Sequence, residues 1–101
     1  MKFAFHPEAR KEINQSFDFY DKQNNKLGTE FLEEVYSTIQ RIIEFPKAFP
    51  KYSKNTRKCL TNRFPFAVIY QHTKDEIFIV AVAHLLRKPG FWKERLVSKE
   101  L

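Results

Sequence analysis

Apolar residues recur along this chain in two rhythms, helical before the stretch 46–55 and extended after it. From Lys2 to His6 polar and apolar positions alternate, with Phe3 and Phe5 on one side, which predicts a short strand. Pro7 follows where a first helical turn accepts it, because the N–H it lacks has no intrahelical partner there. Ala9, Ile13, Phe17 and Tyr20 then recur at helical spacing, with Glu8, Lys11, Glu12 and Asn14 off that stripe. Gln23-Asn24-Asn25 interrupts the pattern as a tight turn. A second stripe runs through Leu27, Phe31, Leu32, Val35, Ile39, Ile42 and Ile43. It stops at Glu44-Phe45-Pro46, since the residue before a proline is pushed out of the helical region. Two amphipathic helices with so short a link predict an antiparallel helical hairpin. Gly28, a poor helix former, predicts a close contact between the two helices.

The lysine-rich stretch 46–55, punctuated by Pro46 and Pro50, reads as a loop. From Arg57 to Arg63 the residues alternate again, Lys58, Leu60 and Asn62 against Cys59 and Thr61. Phe66 to Gln71 and Ile77 to Ala83 are nearly continuous apolar runs, the signature of strands covered on both faces. Phe64-Pro65 and Thr73-Lys74-Asp75-Glu76 supply the turns. The order β-α-α-β-β-β predicts an α+β fold: an N-terminal strand and helical hairpin packed on a mainly antiparallel sheet of about four strands, with a short helical tail at the C-terminus. A chain of 101 residues has room for one core, so 1–101 is expected to be a single domain.

Charge adds direction. The net charge is +6, but residues 1–45 carry six basic and eight acidic side chains while residues 46–101 carry twelve and four, net +8. Between Pro46 and Lys74 no acid interrupts Lys47, Lys51, Lys54, Arg57, Lys58, Arg63 and Lys74. Such a field favours a polyanion or an acidic protein partner; its plainer reading is a solvated face that aids solubility. The single cysteine, Cys59, leaves no internal disulfide and suits a reducing cytosol. His6, His72 and His84 lack metal-ligand spacing, so neither a metal nor another cofactor is expected. No apolar run approaches the roughly 20 residues of a membrane span and no apolar leader opens the chain, so a cytoplasmic location is expected.

Three segments in order, His6-Pro7-Glu8-Ala9, Phe64 to Tyr70 (Phe-Pro-Phe-Ala-Val-Ile-Tyr) and Val82 to Trp92 (Val-Ala-His-Leu-Leu-Arg-Lys-Pro-Gly-Phe-Trp), resemble the RelE/ParE superfamily of toxins from type II toxin–antitoxin systems. Within it they are most similar to the branch often labelled plasmid stabilisation proteins, and the likeness covers about residues 2 to 95. The resemblance implies a growth-inhibiting toxin, neutralised in a hetero-oligomer by an antitoxin that brings an acidic contact segment. One branch of the family cuts messenger RNA on the ribosome, and the other poisons DNA gyrase without cutting RNA. Net charge suits both targets and the antitoxin alike.

Metal-free RNA cleavage needs a group that activates the ribose 2′-OH, a cation for the phosphorane and an acid for the leaving oxygen. The resemblance places the ribonuclease branch's usual strand arginine at Ala67, a later arginine near Leu85 and a late tyrosine at Phe91. All three are apolar here, so the resemblance implies a toxin that acts by binding, with gyrase as its expected target. An endoribonuclease would have to rely on His84 and Arg87 for catalysis. Contacts to nucleic acid or a protein partner are expected from Lys54, Arg57, Lys58, Arg63, Arg87 and Lys88. A non-toxic nucleic-acid-binding module is a third reading. His84, just after an apolar strand, is either an acid, base or phosphate donor or a ring that fixes the tail. Tyr70, Cys59, Phe91 and Trp92 read as packing residues, and Tyr52 is open to stacking on a base.

Overall fold

The computed structural model describes residues 1–96. Strand β1 (Lys2–Phe5) leads into helix α1 (Pro7–Gln23) and helix α2 (Leu27–Glu44). Strands β2 (Lys51–Ser53), β3 (Thr56–Leu60), β4 (Phe66–His72) and β5 (Glu76–His84) come next, and a single 3-10 turn spans Lys93–Arg95. The sheet order is β1-β5-β4-β3-β2. β1 runs parallel to β5, and every other pairing is antiparallel. This is the expected α+β arrangement with five strands rather than about four. The added strand, β2, lies inside the stretch read as a loop. Three residues carrying a lysine are too few to show a period, and β2 exists because it pairs back on β3, with Lys51 opposite Arg57 and Ser53 opposite Thr56. The expected C-terminal helix is one turn as far as it is described, and 97–101 lie outside the described residues.

α1 begins as its first residues predict. The His6 ring accepts from the Glu8 N–H at its Nδ1 (3.0 Å), Pro7 occupies the first turn, and Glu8 faces the positive end of the helix. The turn into α2 is held by Asn24, whose side-chain oxygen accepts from the Lys26 N–H (2.9 Å). Gly28 is buried where the two helices cross: a Cβ there would come within 2.9 Å of both the Phe17 ring and the Asp21 Cβ. Gly28→Ala should therefore destabilise the protein. The helix-propensity gain of about 1 kcal/mol is outweighed by an overpacking cost of about 1–3 kcal/mol. A raised melting temperature in this variant would contradict the close crossing.

The helices cover one face of the sheet. Ala9, Ile13, Phe31, Val35, Ile39 and Ile42 pack there on Cys59, Phe66, Val68, Tyr70, Ile77, Ile79 and Val82. The Tyr70 hydroxyl donates to the Pro46 carbonyl (2.7 Å), which ties the loop after α2 to the core. A bulge in β5 redirects the side chains at its C-terminal end. Ile69 pairs with Ala81 and Tyr70 with Ile79, so Val80 is an extra residue. Beyond it the alternation reverses: Val82 faces the helices, while Ala81 and Ala83 face the other side. That second side holds a smaller cluster of Ile69, Val80, Ala81 and Ala83, capped by Trp92 with Phe91, Tyr52 and Leu96. The chain after β5 thus folds back over the sheet, which is why both apolar strands are covered on both faces. No described helix is long and apolar enough to cross a membrane.

Candidate functional site

The registers assign each basic residue of the second half to a face. Lys58 pairs with Ile69 and so points away from the helices, whereas Arg57 pairs with Tyr70 and lies on their side. Lys58 reaches the Tyr52 ring, its ammonium 4.0 Å from the centroid, and Tyr52 is itself stacked on Trp92 (4.8 Å, 23°). Arg57 is committed elsewhere: its Nη1 donates to the carbonyls of Phe49 (2.7 Å) and Lys47 (3.3 Å), holding the loop between α2 and β2. Arg63, between β3 and β4, forms an ion pair with Glu30 of α2, and the carboxylate beside it pushes its pKa up. Lys54 sits exposed at the β2–β3 tip, and Lys88 is exposed after β5.

Two of the six expected contact residues therefore meet in one place. Tyr52, Lys58, Ala67, Ile69, Ala83, Leu85, Arg87 and Phe91 line a narrow cleft of about 30 Å³ on the sheet face opposite the helices, beside the returning tail, with His84 at its end. The Arg87 guanidinium lies 3.6 Å from the centroid of the Phe91 ring and donates to Glu12 (2.8 Å). The cleft is thus cationic at two points and apolar between them, because Ala67 and Ala83 are small residues facing each other across β4 and β5.

His84 pairs with Phe66, so its ring lies on the helix side, 5.4 Å from the Phe66 ring. It borders a second, open hollow of about 300 Å³ with Gln15, Ser16, Phe19, Tyr20 and Phe66. Its Nδ1 accepts from the Leu86 N–H (3.1 Å). In the neutral ring the proton then sits on Nε2, so the edge turned away from the backbone is a donor and not an acceptor. Of the two sequence readings of His84, the geometry shows the ring fixing the first turn of the tail.

Burial settles several other candidates. Tyr70 is fully buried and Trp92 is 2% exposed, so neither can stack on a base. Cys59 is buried, and that burial pushes its thiol pKa up, away from nucleophilic chemistry. Leu86 is 88% exposed and Leu85 and Phe19 are largely exposed, leaving apolar surface at the end of β5 and along α1. Among the described residues no group of three or more His, Cys, Asp or Glu gathers to hold a metal.

Glu12 is the residue that pattern reading overlooked. The pattern puts it off the apolar stripe of α1, and the structure shows it largely buried at that stripe's flank. Its side chain is 11% exposed and binds both Arg87 and Arg95. No local signal marked it, because a carboxylate on the flank of a helix is drawn into burial only by partners, and these lie far along the chain.

Comparison with known proteins bears on the family and the fold. The family model of the ParE toxin of type II toxin–antitoxin systems, parDE, matches residues 3–89. A solved structure described as the chromosomal ParDE TA system from P. aeruginosa shares the fold, with a TM-score of 0.62 at 16% identity, covering 83% of this chain and 95% of that one. No curated protein sequence matches the chain. The match over residues 3–89, which spans β1 through the Arg87 turn, makes this chain a member of the ParE toxin family, within the RelE/ParE superfamily of type II toxins.

Proposed function

We propose that this toxin arrests growth by binding an essential cytoplasmic target through its cationic cleft, without cutting RNA, and that an antitoxin with an acidic contact segment neutralises it in a hetero-oligomer. DNA gyrase is the target this reading names, by analogy with the gyrase-directed branch. One observation carries it. The cleft wall is made of Ala67, Ala83, Leu85 and Phe91, while its two cations are held against aromatic rings rather than around a reacting atom. Such a site can grip an anionic or amphipathic surface, and among the described residues its lining holds no carboxylate to take a proton from a ribose hydroxyl. His84 does not take that proton while its Nδ1 is bonded to the Leu86 N–H.

Expression without a partner should slow bacterial growth, and co-expression of the small acidic protein encoded beside it should restore it. The purified toxin should inhibit supercoiling by DNA gyrase. Association with the antitoxin should slow as salt is raised, because the attraction to the net +8 half is screened beyond a Debye length of about 10 Å at 0.1 M. Unimpaired growth with soluble toxin present would overturn the reading. Arrest with fully active gyrase would redirect the search to another target.

A further inference from the structure

Glu12 and the chain after β5 meet at an edge of the sheet that no strand covers. β1 pairs with β5 only from Glu76 to Ile79, and after the His6 N–H bonds the Ile79 carbonyl (2.9 Å) the chain turns away into α1. The backbone edge of Val80 and Val82 in β5 is left to α1 and the tail. Glu12 Oε1 accepts from the Val82 N–H (3.1 Å), and Arg95 Nη1 donates to the Val80 carbonyl (3.1 Å). The two side chains are bonded to each other as well, Arg95 Nη1 to Oε1 (3.1 Å) and Nη2 to Oε2 (3.0 Å). Together they offer β5 the acceptor and the donor that a continuing neighbour strand would have offered.

Oε2 has a second duty, since it accepts from Arg87 Nη1 (2.8 Å). One carboxylate therefore bridges two guanidinium groups and leaves the cluster with a net charge of +1; both guanidinium groups lie near the Phe91 ring, at 3.6 and 5.1 Å. Glu12 and Arg95 are each 11% exposed, whereas Arg87 is 46% exposed, so Arg87 is held at the surface by a group that is itself nearly buried. A free arginine side chain samples many rotamers; this one is fixed on one side by a charge-assisted bond and on its face by a ring.

We propose that Glu12 is a positioning residue for target binding: it sets the Arg87 guanidinium at the mouth of the cationic cleft and keeps it presented to an anionic group of the target. This rests on the reading of the cleft as the target site. It does not require the target to be gyrase. Removing the charge at Glu12 should loosen Arg87 and weaken growth arrest as much as removing Arg87 itself, and the two losses should not add, because they interrupt one interaction.

The test uses full-length protein carrying Glu12→Gln, Arg87→Ala, both together, or Arg95→Gln. Arrest is read as the inducer level that halves growth rate, and side-chain order as the Arg87 Nε–H relaxation in NMR. E12Q and R87A should each raise the inducer level by about tenfold, with the double variant no worse, a coupling within the range for residues in contact. Arg87 should be mobile in E12Q. R95Q should lower the melting temperature and leave both arrest and Arg87 order unchanged. Arrest lost in R87A but kept in E12Q would overturn the positioning role, as would a rigid Arg87 in E12Q. Full arrest in R87A would overturn it as well, since Arg87 would then make no contact with the target for Glu12 to set. Should E12Q fail to fold, R95Q and Glu12→Asp take its place. Loss of arrest in R95Q would put the effect in tail anchoring and overturn the proposal, while E12D with a mobile Arg87 and weakened arrest would support it.

Discussion

Phe31→Ala should cost the fold about 3–5 kcal/mol, the range for removing a buried phenylalanine. Phe31 is fully buried on α2, and its ring meets those of Tyr20 (5.4 Å), Phe64 (5.4 Å, 89°) and Phe66 (5.0 Å, 65°). These come from α1, the β3–β4 connection and β4, so one side chain joins both layers of the domain. Truncation removes the transfer free energy of the ring and leaves a space that three other rigid rings cannot close. A domain of this size is stable by only about 5–15 kcal/mol, so the variant should lose about a fifth or more of that margin. Urea denaturation should show a lowered midpoint with an unchanged slope. Leu86→Ala is the control, because Leu86 is 88% exposed and should shift stability by less than about 0.5 kcal/mol. Equal effects in the two variants would contradict the packing described for α2.

Purified wild-type toxin should leave ribosome-bound messenger RNA intact. The rival reading predicts cleavage in A-site codons with His84 moving protons and Arg87 stabilising the phosphorane. Replacing a true general acid or base commonly costs about 10²–10⁴ in rate, so His84→Ala, Arg87→Ala would then abolish cleavage in a folded protein. The geometry speaks for the first outcome. His84 has its Nδ1 bonded to the Leu86 N–H, so its neutral ring has no free nitrogen to accept a proton. Sharp cleavage lost in that double variant would reverse the choice of branch and leave the family assignment untouched. It would also require the His84 ring to break its bond to Leu86 when RNA binds.

The sequence by itself determined most of the architecture. Helical stripes at Ala9-Ile13-Phe17-Tyr20 and at Leu27-Phe31-Val35-Ile39-Ile42 became a helical hairpin, and the apolar runs at 66–71 and 77–83 became its central strands. Period and run length are local properties, so they can be read without knowing the fold. Gly28 was legible too, since a glycine inside an apolar helix has few uses besides close approach. Residue patterns also carried the family, because short motifs in fixed order survive as sequence.

Tertiary structure alone decided which basic residues share a site. Lys54, Arg57, Lys58 and Arg63 lie within ten positions, yet pairing sends Arg57 to loop carbonyls, Arg63 to Glu30 and Lys58 to the face opposite the helices. Arg87 joins Lys58 only because the tail folds back over β4 and β5. The Val80 bulge decided which way Val82, Ala83 and His84 point, and an inserted residue in an unbroken apolar run leaves no mark in the pattern. β2 was hidden for a similar reason: a three-residue edge strand is defined by its hydrogen bonds to β3 and not by any period of its own. Glu12 shows the limit most clearly. Its place off the apolar stripe of α1 gave no sign of burial, and its partners Arg87 and Arg95 are more than seventy residues away, so the contact comes from the closed fold rather than from local pattern.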